Sequence, residues 1–460
     1  MQQADTISAI ATAPGESGIG IIRLSGSRAI AIADTLFRSA SGRTLADTES
    51  HRALYGRIVA EDGRTLDEAL CLLMRTPHSY TREDVVELQC HGGSLPLRES
   101  LALTSRLGAR PAEPGELTKR AFLNGRLDLT QAQAVMDIIQ AKTEASLQMA
   151  AGHLTGCFSA KIQQARHLIL ELIAHLEAAI DFPEDDIDDI VIDDVKSRIG
   201  ELQQQIAAML AADHTGRILR DGLETAIIGK PNVGKSSLLN ALLGEQRAIV
   251  TEVPGTTRDS IEEYASVGGV PLRIIDTAGI RATEDVVEKI GVEKAREYVE
   301  KAALVLALFD ASRPLAPEDE EILRLIADKD AMVLLNKADL PAVLTEAELR
   351  ARLPQKQVLT ISTAHALGMD ALAACIQEFV YGSVQRGAEA SFVSTLRQAD
   401  ILRQVQAHLQ AVLETVDAGM SADFIVIDLR SAWEKLGEIT GETVGEDIID
   451  QIFSQFCIGK

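Results

Sequence analysis

The chain has 460 residues, enough for about three domains, and 46% of them are hydrophobic, ample for large cores. No run of roughly 18 apolar residues marks a membrane span and no basic-then-apolar signal opens the N-terminus, so a cytoplasmic protein is expected. The net charge of −23 argues against a high-affinity RNA-binding module, so any RNA contact must use a local basic surface or a partner protein. Cys71, Cys90, Cys157, Cys375 and Cys457 form no C-x-x-C pair and read as reduced thiols.

In chain order, residues 1 to about 120 read as a strand-rich α/β domain. Gly18–Gly26 is a strand bounded by glycines, Ala29–Phe37 a helix, Leu70–Arg75 and Val85–Cys90 further strands, and Leu95–Leu107 a second helix. His91-Gly92-Gly93 is a turn after a strand, where a lone histidine reads as structural rather than metal-binding. From about 120 the texture turns helical, with Ile169, Leu172, Ile173, Leu176 and Ile180 at helical spacing. Asp181–Asp186 interrupts it; the acidic stretch to Asp194 reads as a solvated loop and helix start, with a metal site as the alternative. A helix from about Asp193 to Asp213 leads into a domain over 221–381, and long amphipathic segments return at Ala399–Val416 and Phe424–Ile439. The economical arrangement is one helical bundle with the 221–381 domain inserted between its halves.

The inserted domain carries the chemistry. Gly229-Lys230-Pro231-Asn232-Val233-Gly234-Lys235-Ser236 fits G-x-x-x-x-G-K-[ST], between the apolar strand Thr225–Ile228 and the helix-forming run from Ser237 to Gly244. That strand–loop–helix context is what a phosphate-binding loop needs. Backbone N–H groups of Asn232, Val233 and Gly234 would turn onto the phosphates, aided by the helix N-terminus over Ser236 and Ser237. Lys235 would reach the β- and γ-phosphates and the Ser236 hydroxyl would ligate Mg²⁺. Asp276-Thr277-Ala278-Gly279 follows an apolar strand and reads as the carboxylate side of the Mg²⁺ and γ-phosphate site, and Thr257 in Gly255–Asp259 as a second Mg²⁺ hydroxyl. Asn336-Lys337-Ala338-Asp339 names the base, because Asp339 would take two N–H donors of guanine that adenine lacks. Ser362-Thr363-Ala364 would close the base pocket. These elements, in this order, predict a GTP-binding domain.

With these residues assembled, essentially the full chain resembles the MnmE (TrmE) family of bacterial tRNA-modification GTPases. Beyond the GTPase motifs, the resemblance rests on Phe122–Leu129, Ala179-Ile180-Asp181-Phe182-Pro183 and the terminal Phe456-Cys457-Ile458-Gly459-Lys460. It implies a multidomain α/β plus all-α fold. An N-terminal folate-binding and dimerisation domain would span 1–120 and helical parts 121–215 and 383–460, around an inserted Ras-like P-loop GTPase domain at 221–381. It further implies a homodimer, a 5-formyltetrahydrofolate-type donor held by Arg23, Glu87, Arg126 and Lys460, and a partnership with the flavoprotein MnmG. Together these would install a carboxymethylaminomethyl group at C5 of the tRNA wobble uridine. Arg23 and Arg126 suit the folate carboxylates as guanidinium forks, and Glu87 suits pterin N–H groups; surface ion pairs are the alternative. Cys457 fits one-carbon chemistry or a packed thiol equally well.

The residue after Gly279 is Ile280, where Ras-like proteins carry a water-orienting glutamine, so another group must act. No arginine finger is assigned, although Arg258 and Arg281 lie nearby in sequence. The family solution would be K⁺ held by Asn232 and by the loop with Thr251, Val253 and Thr256, which also contains Pro254, with Glu288 orienting the water when two GTPase domains meet. Thr251 and Thr256 would then also border the nucleotide. Two other readings stand beside this enzyme: a GTP-dependent scaffold for the flavoprotein without one-carbon chemistry, and a ribosome-assembly GTPase, which the acidic charge disfavours.

Overall fold

The computed structural model describes residues 5–181, 188–244, 263–275, 291–382, 384 and 392–460, with side chains at 188–193 and 291–295 left aside. The chain divides into two compact units: Met1–Met136, Leu154–Asp185 and Met420–Lys460 form one, Asp137–His153 and Asp186–Gly419 the other.

The first unit is built on a seven-stranded sheet of β1 (Ile7–Ile10), β2 (Ser17–Ser25), β3 (Phe37–Ser39), β4 (Arg52–Val59), β5 (Thr65–Met74), β6 (Val85–Gly92) and β7 (Arg110–Pro111). Its spatial order is β3-β4-β5-β6-β2-β1-β7. Every neighbouring pair is antiparallel except β1 with β7. Side chains alternate between faces of a strand. Ala69, Cys71 and Leu73 of β5 are therefore buried with Ile32, Leu36, Leu97 and Leu103 of the helices Ala29–Leu36 and Ser94–Arg106. The alternate positions open outward, and Leu70 remains exposed opposite exposed Tyr55. In the same unit helix Cys157–Asp181 pairs with Ala422–Thr440. The terminal helix Glu446–Ser454 packs on Glu116–Leu123, where Phe453 lies 6.2 Å from Phe122 and 5.1 Å from Phe456 between ring centroids.

The second unit contains a six-stranded sheet of β8 (Leu223–Gly229), β9 (Glu263–Val267), β10 (Val270–Ile274), β11 (Leu304–Asp310), β12 (Ala331–Asn336) and β13 (Gln357–Thr360). Its order is β13-β12-β11-β8-β10-β9, parallel throughout except for β9 against β10. Parallel strands buried on both faces read as continuous apolar runs. Along β11 Leu304, Leu306 and Leu308 enter one core, while Val305, Ala307 and Phe309 enter the other. Helix Asp188–Ala211 pairs with Leu396–Asp417 in this unit. The helices that flank the nucleotide sheet in sequence are thus distributed over both units. None of the described helices is long and apolar enough to cross a membrane. All five cysteines are free thiols. His91 ends a strand with Nδ1 2.7 Å from an Asp67 oxygen, and no metal-type cluster of His, Cys, Asp and Glu occurs among the described residues.

Candidate functional site

In the second unit the carboxyl ends of the parallel strands converge, the edge where open α/β sheets bind ligands. Gly229 closes β8 opposite Leu308, and Asp310 closes β11 opposite Asn336. The phosphate loop leaves Gly229 and enters helix Lys235–Gly244. Two loop residues take left-handed backbone, Asn232 at φ +64° and Gly234 at φ +105°. Glycine is required at 234 because a Cβ there would stand 2.3 Å from Nδ2 of Asn336. The Lys235 ammonium donates to the carbonyls of Gly229 at 2.8 Å and Lys230 at 2.7 Å, and its burial lowers its pKa. The Ser236 and Ser237 side chains are exposed at the start of the helix.

The guanine motif meets this loop directly. Asn336, 1% exposed, donates Nδ2–H to the Val233 carbonyl at 2.8 Å, and its Oδ1 accepts from the Thr363 N–H at 3.1 Å. Lys337 takes left-handed backbone and its ammonium pairs with Asp310 at 2.7 Å. Ser362 donates to the Asp339 carboxylate at 2.5 Å, and that hydrogen bond is the first cause holding the Asp339 carboxyl below the usual range. Ala338 N–H donates to the Ile361 carbonyl, joining the guanine motif to the end of β13; Ala364 follows as an exposed turn residue. Asn232, Val233, Gly234, Lys235, Asn336, Lys337, Asp339, Ser362 and Thr363 are thus brought to one edge. Thr251, Val253, Thr256, Thr257, Asp276, Thr277, Ala278, Gly279, Ile280 and Glu288 lie outside the described residues.

A second cluster sits in the first unit. Arg23 of β2 and Glu87 of β6 are directly paired in register, and the guanidinium meets the carboxylate at 2.8 Å. Tyr80 lies between two guanidiniums, with its ring centroid 5.9 Å from Arg23 and 4.7 Å from Arg126, cation–π distances in both cases. Arg126 also donates to the Tyr80 carbonyl at 3.0 Å. Burial raises the Tyr80 pKa, and the two arginines oppose that rise. The C-terminus is stitched to the same place: Leu117 N–H donates to the Lys460 carbonyl at 3.2 Å, and Arg23 to the Gly459 carbonyl at 3.5 Å. Only glycine fits at 459, where φ is +89° and a Cβ would stand 2.2 Å from the Ile10 carbonyl oxygen. Burial first, then the charge of Arg23, lowers the Lys460 pKa. Arg23, Glu87, Arg126 and Lys460 therefore converge although 437 positions separate the first from the last, counted from their numbers.

Three residues escaped the sequence reading. Tyr80 has no periodic or motif signal. Asp310 does have one: it is the lone carboxylate ending an all-apolar parallel strand, at the edge where ligands bind. Asp319 lies in the helix after β11 and touches the phosphate loop through Lys230.

A parallel sheet with a phosphate loop and a guanine motif locked together at its carboxyl edge defines a Ras-like P-loop GTPase domain, here joined to an α/β domain and a helical one. The family description "GTP-binding protein TrmE N-terminus" matches residues 6–126, and "MnmE helical domain" matches residues 129–457. The chain is 51% identical to the "tRNA modification GTPase MnmE" of Heliobacterium modesticaldum, covering 99% of each chain. It is 48% identical to the protein of that name in Geobacillus kaustophilus, covering 100% of each, and 46% identical to that in Clostridioides difficile, covering 99% of each. The chain belongs to the MnmE family.

Proposed function

We propose that the protein is a GTP hydrolase acting in tRNA modification. The observation that carries the nucleotide reading is the buried Asn336 amide, which ties the phosphate loop at Val233 to the base-pocket loop at Thr363. Asp339, positioned by Ser362, would accept two guanine N–H groups. The test is Asp339→Asn: GTP should bind on the order of 10²–10⁴-fold more weakly, as when a site built for hydrogen bonding loses its pairing, and xanthine nucleotides should gain. Unchanged GTP affinity would refute the guanine assignment.

Ser236 and Thr257 would hold Mg²⁺, and Asn232 with Thr251, Val253 and Thr256 would hold K⁺; when bound, both ions supply positive charge at the phosphates. The left-handed, exposed Asn232 leaves its side-chain oxygen available for that role. Glu288 would orient the attacking water, since Ile280 cannot. The second cluster would hold a tetrahydrofolate-type donor, which supplies a one-carbon unit when bound. Its two guanidiniums, ammonium, carboxylate and tyrosine ring suit a ligand combining a flat N–H-bearing ring with carboxylate arms. The finer reading is a homodimer through the N-terminal domain, working with MnmG to place a carboxymethylaminomethyl group on the tRNA wobble uridine. Exposed Tyr55 and Leu70, opposite each other on β4 and β5, support a protein contact there. Loss of the wobble modification in Arg126→Ala, with GTP turnover intact, would separate one-carbon chemistry from a scaffold role.

A further inference from the structure

We propose that Asp319 is a positioning residue for GTP binding, acting on the phosphate loop through Lys230. This rests on the GTP reading above and adds a residue outside every GTPase motif. Asp319 belongs to helix Pro317–Ile326, whose Leu323 and Ile326 are buried with Val305, Ala307 and Phe309 of β11, so the helix is a fixed part of the sheet's covering layer. The side chain is 4% exposed. Its Oδ2 accepts the Ala316 N–H at 2.8 Å and lies 2.5 Å from the ammonium of Lys230, whose side chain is 20% exposed. Its Oδ1 is buried and has no hydrogen-bond partner among the described residues. Among the described residues, the Lys230 ammonium and the Ala316 N–H are what offset the burial of this carboxylate, and a buried charge that loses its counterion is strongly unfavourable.

Lys230 is the first residue after Gly229. The carbonyls of those two residues are the acceptors of the Lys235 ammonium. Fixing the Lys230 side chain therefore fixes the peptide that aims Lys235, the phosphate-binding lysine. Asp310 treats the guanine loop in the same way, pairing with Lys337 while its other oxygen accepts from the Ser312 N–H and hydroxyl. The end of β11 and the helix that follows it thus hold both nucleotide loops by one carboxylate each. A loop held in its binding geometry spends less free energy on ordering when the ligand arrives.

The experiment compares Asp319→Asn, Lys230→Met and the double variant in the full chain. Asparagine keeps an oxygen for the Ala316 N–H and removes the negative charge that attracts Lys230. Each single variant should raise the KM for GTP and speed GDP release about tenfold, or about 1.4 kcal/mol. The loss should fall on KM rather than kcat, as expected for ground-state binding. The double variant should be no worse than the worse single one, since both remove one interaction. Wild-type KM and GDP release in a folded single variant, or effects that multiply in the double, would overturn the proposal. If Asp319→Asn does not fold, Lys230→Met on the surface loop decides alone by the same readings. Lys235→Ala separates the two levels: retained GTP affinity there would refute the GTP reading itself. Its loss, beside wild-type behaviour of Asp319→Asn and Lys230→Met, would refute only the role of Asp319.

Discussion

Replacing Gly234 by alanine should damage nucleotide binding and stability together. At φ +105° an L-residue is strained, at a cost of about 1–3 kcal/mol. The added Cβ stands 2.3 Å from Nδ2 of Asn336, and the next atoms are 3.6 Å away, so the conflict falls on one amide. To give way, Asn336 must abandon the Val233 carbonyl and the Thr363 N–H. Stranding that buried amide costs about 1–3 kcal/mol more. The sum, about 2–6 kcal/mol, is large beside the roughly 5–15 kcal/mol stability of a typical domain. Urea unfolding of the full chain, with fluorescent GDP titration, reads both parts. Gly244→Ala is the internal control: it ends the same helix, meets nothing within 4 Å among the described residues and should gain up to about 1 kcal/mol. A Gly234→Ala protein within about 1 kcal/mol of wild type, with unchanged GDP affinity, would refute the coupling of the two loops through Asn336.

Three further outcomes are expected. Removing Ile458–Lys460 should weaken 5-formyltetrahydrofolate binding by calorimetry while GTP affinity stays unchanged, because the terminus joins the Arg23–Tyr80 cluster of the first unit and the nucleotide loops belong to the second; equal folate affinity would sink that site. GTP turnover should be much faster in K⁺ than in Na⁺, Asn232→Ala should erase the difference, and Glu288→Ala should slow turnover on the order of 10²–10⁴-fold; equal rates in both salts would exclude the mechanism. The acid limb of unfolding should move to higher pH in Arg110→Met. Burial alone would raise the Glu116 and Asp5 carboxyls, but hydrogen bonds from Arg110 and Arg120 outweigh it and hold both low. Their contribution is present above the unfolded carboxylate range near about pH 4 and is lost as pH falls through the depressed folded values. Losing Arg110 raises those values, so circular dichroism should show unfolding at higher pH; an unmoved midpoint would contradict this.

The nucleotide loops were legible because each is short, contiguous and bound to backbone geometry. Gly234 is demanded by a left-handed turn against Asn336, and Asn336-Lys337-Ala338-Asp339 ends an apolar strand. The strands and helices of the first domain were legible for a similar reason. Helical spacing from Ile169 to Leu176 states which face is buried, whereas the unbroken apolar run Ala69–Met74 of β5 marks a strand without saying which of its faces is covered. The resemblance, rather than any local pattern, pointed to Arg23, Glu87, Arg126 and Lys460 as a group. Tyr80, whose ring lies within cation–π distance of both guanidiniums, carried no signal at all.

By itself, then, the order of residues determined the class of ligand: a loop that presents backbone N–H groups to phosphate and a carboxylate for guanine are properties of a few neighbouring residues. Tertiary structure alone decided which elements share a core. An amphipathic stripe says that a face must be covered without saying by what: the expectation of one bundle from the segments before 215 and after 383 named no individual partners, and the fold pairs Cys157–Asp181 with Ala422–Thr440 and Asp188–Ala211 with Leu396–Asp417. It also decided the ion pairs that hold the loops. Lys230 and Asp319 are 89 positions apart by number, and only the fold brings the ammonium to 2.5 Å from the buried carboxylate, where it offsets the cost of withdrawing that group from water.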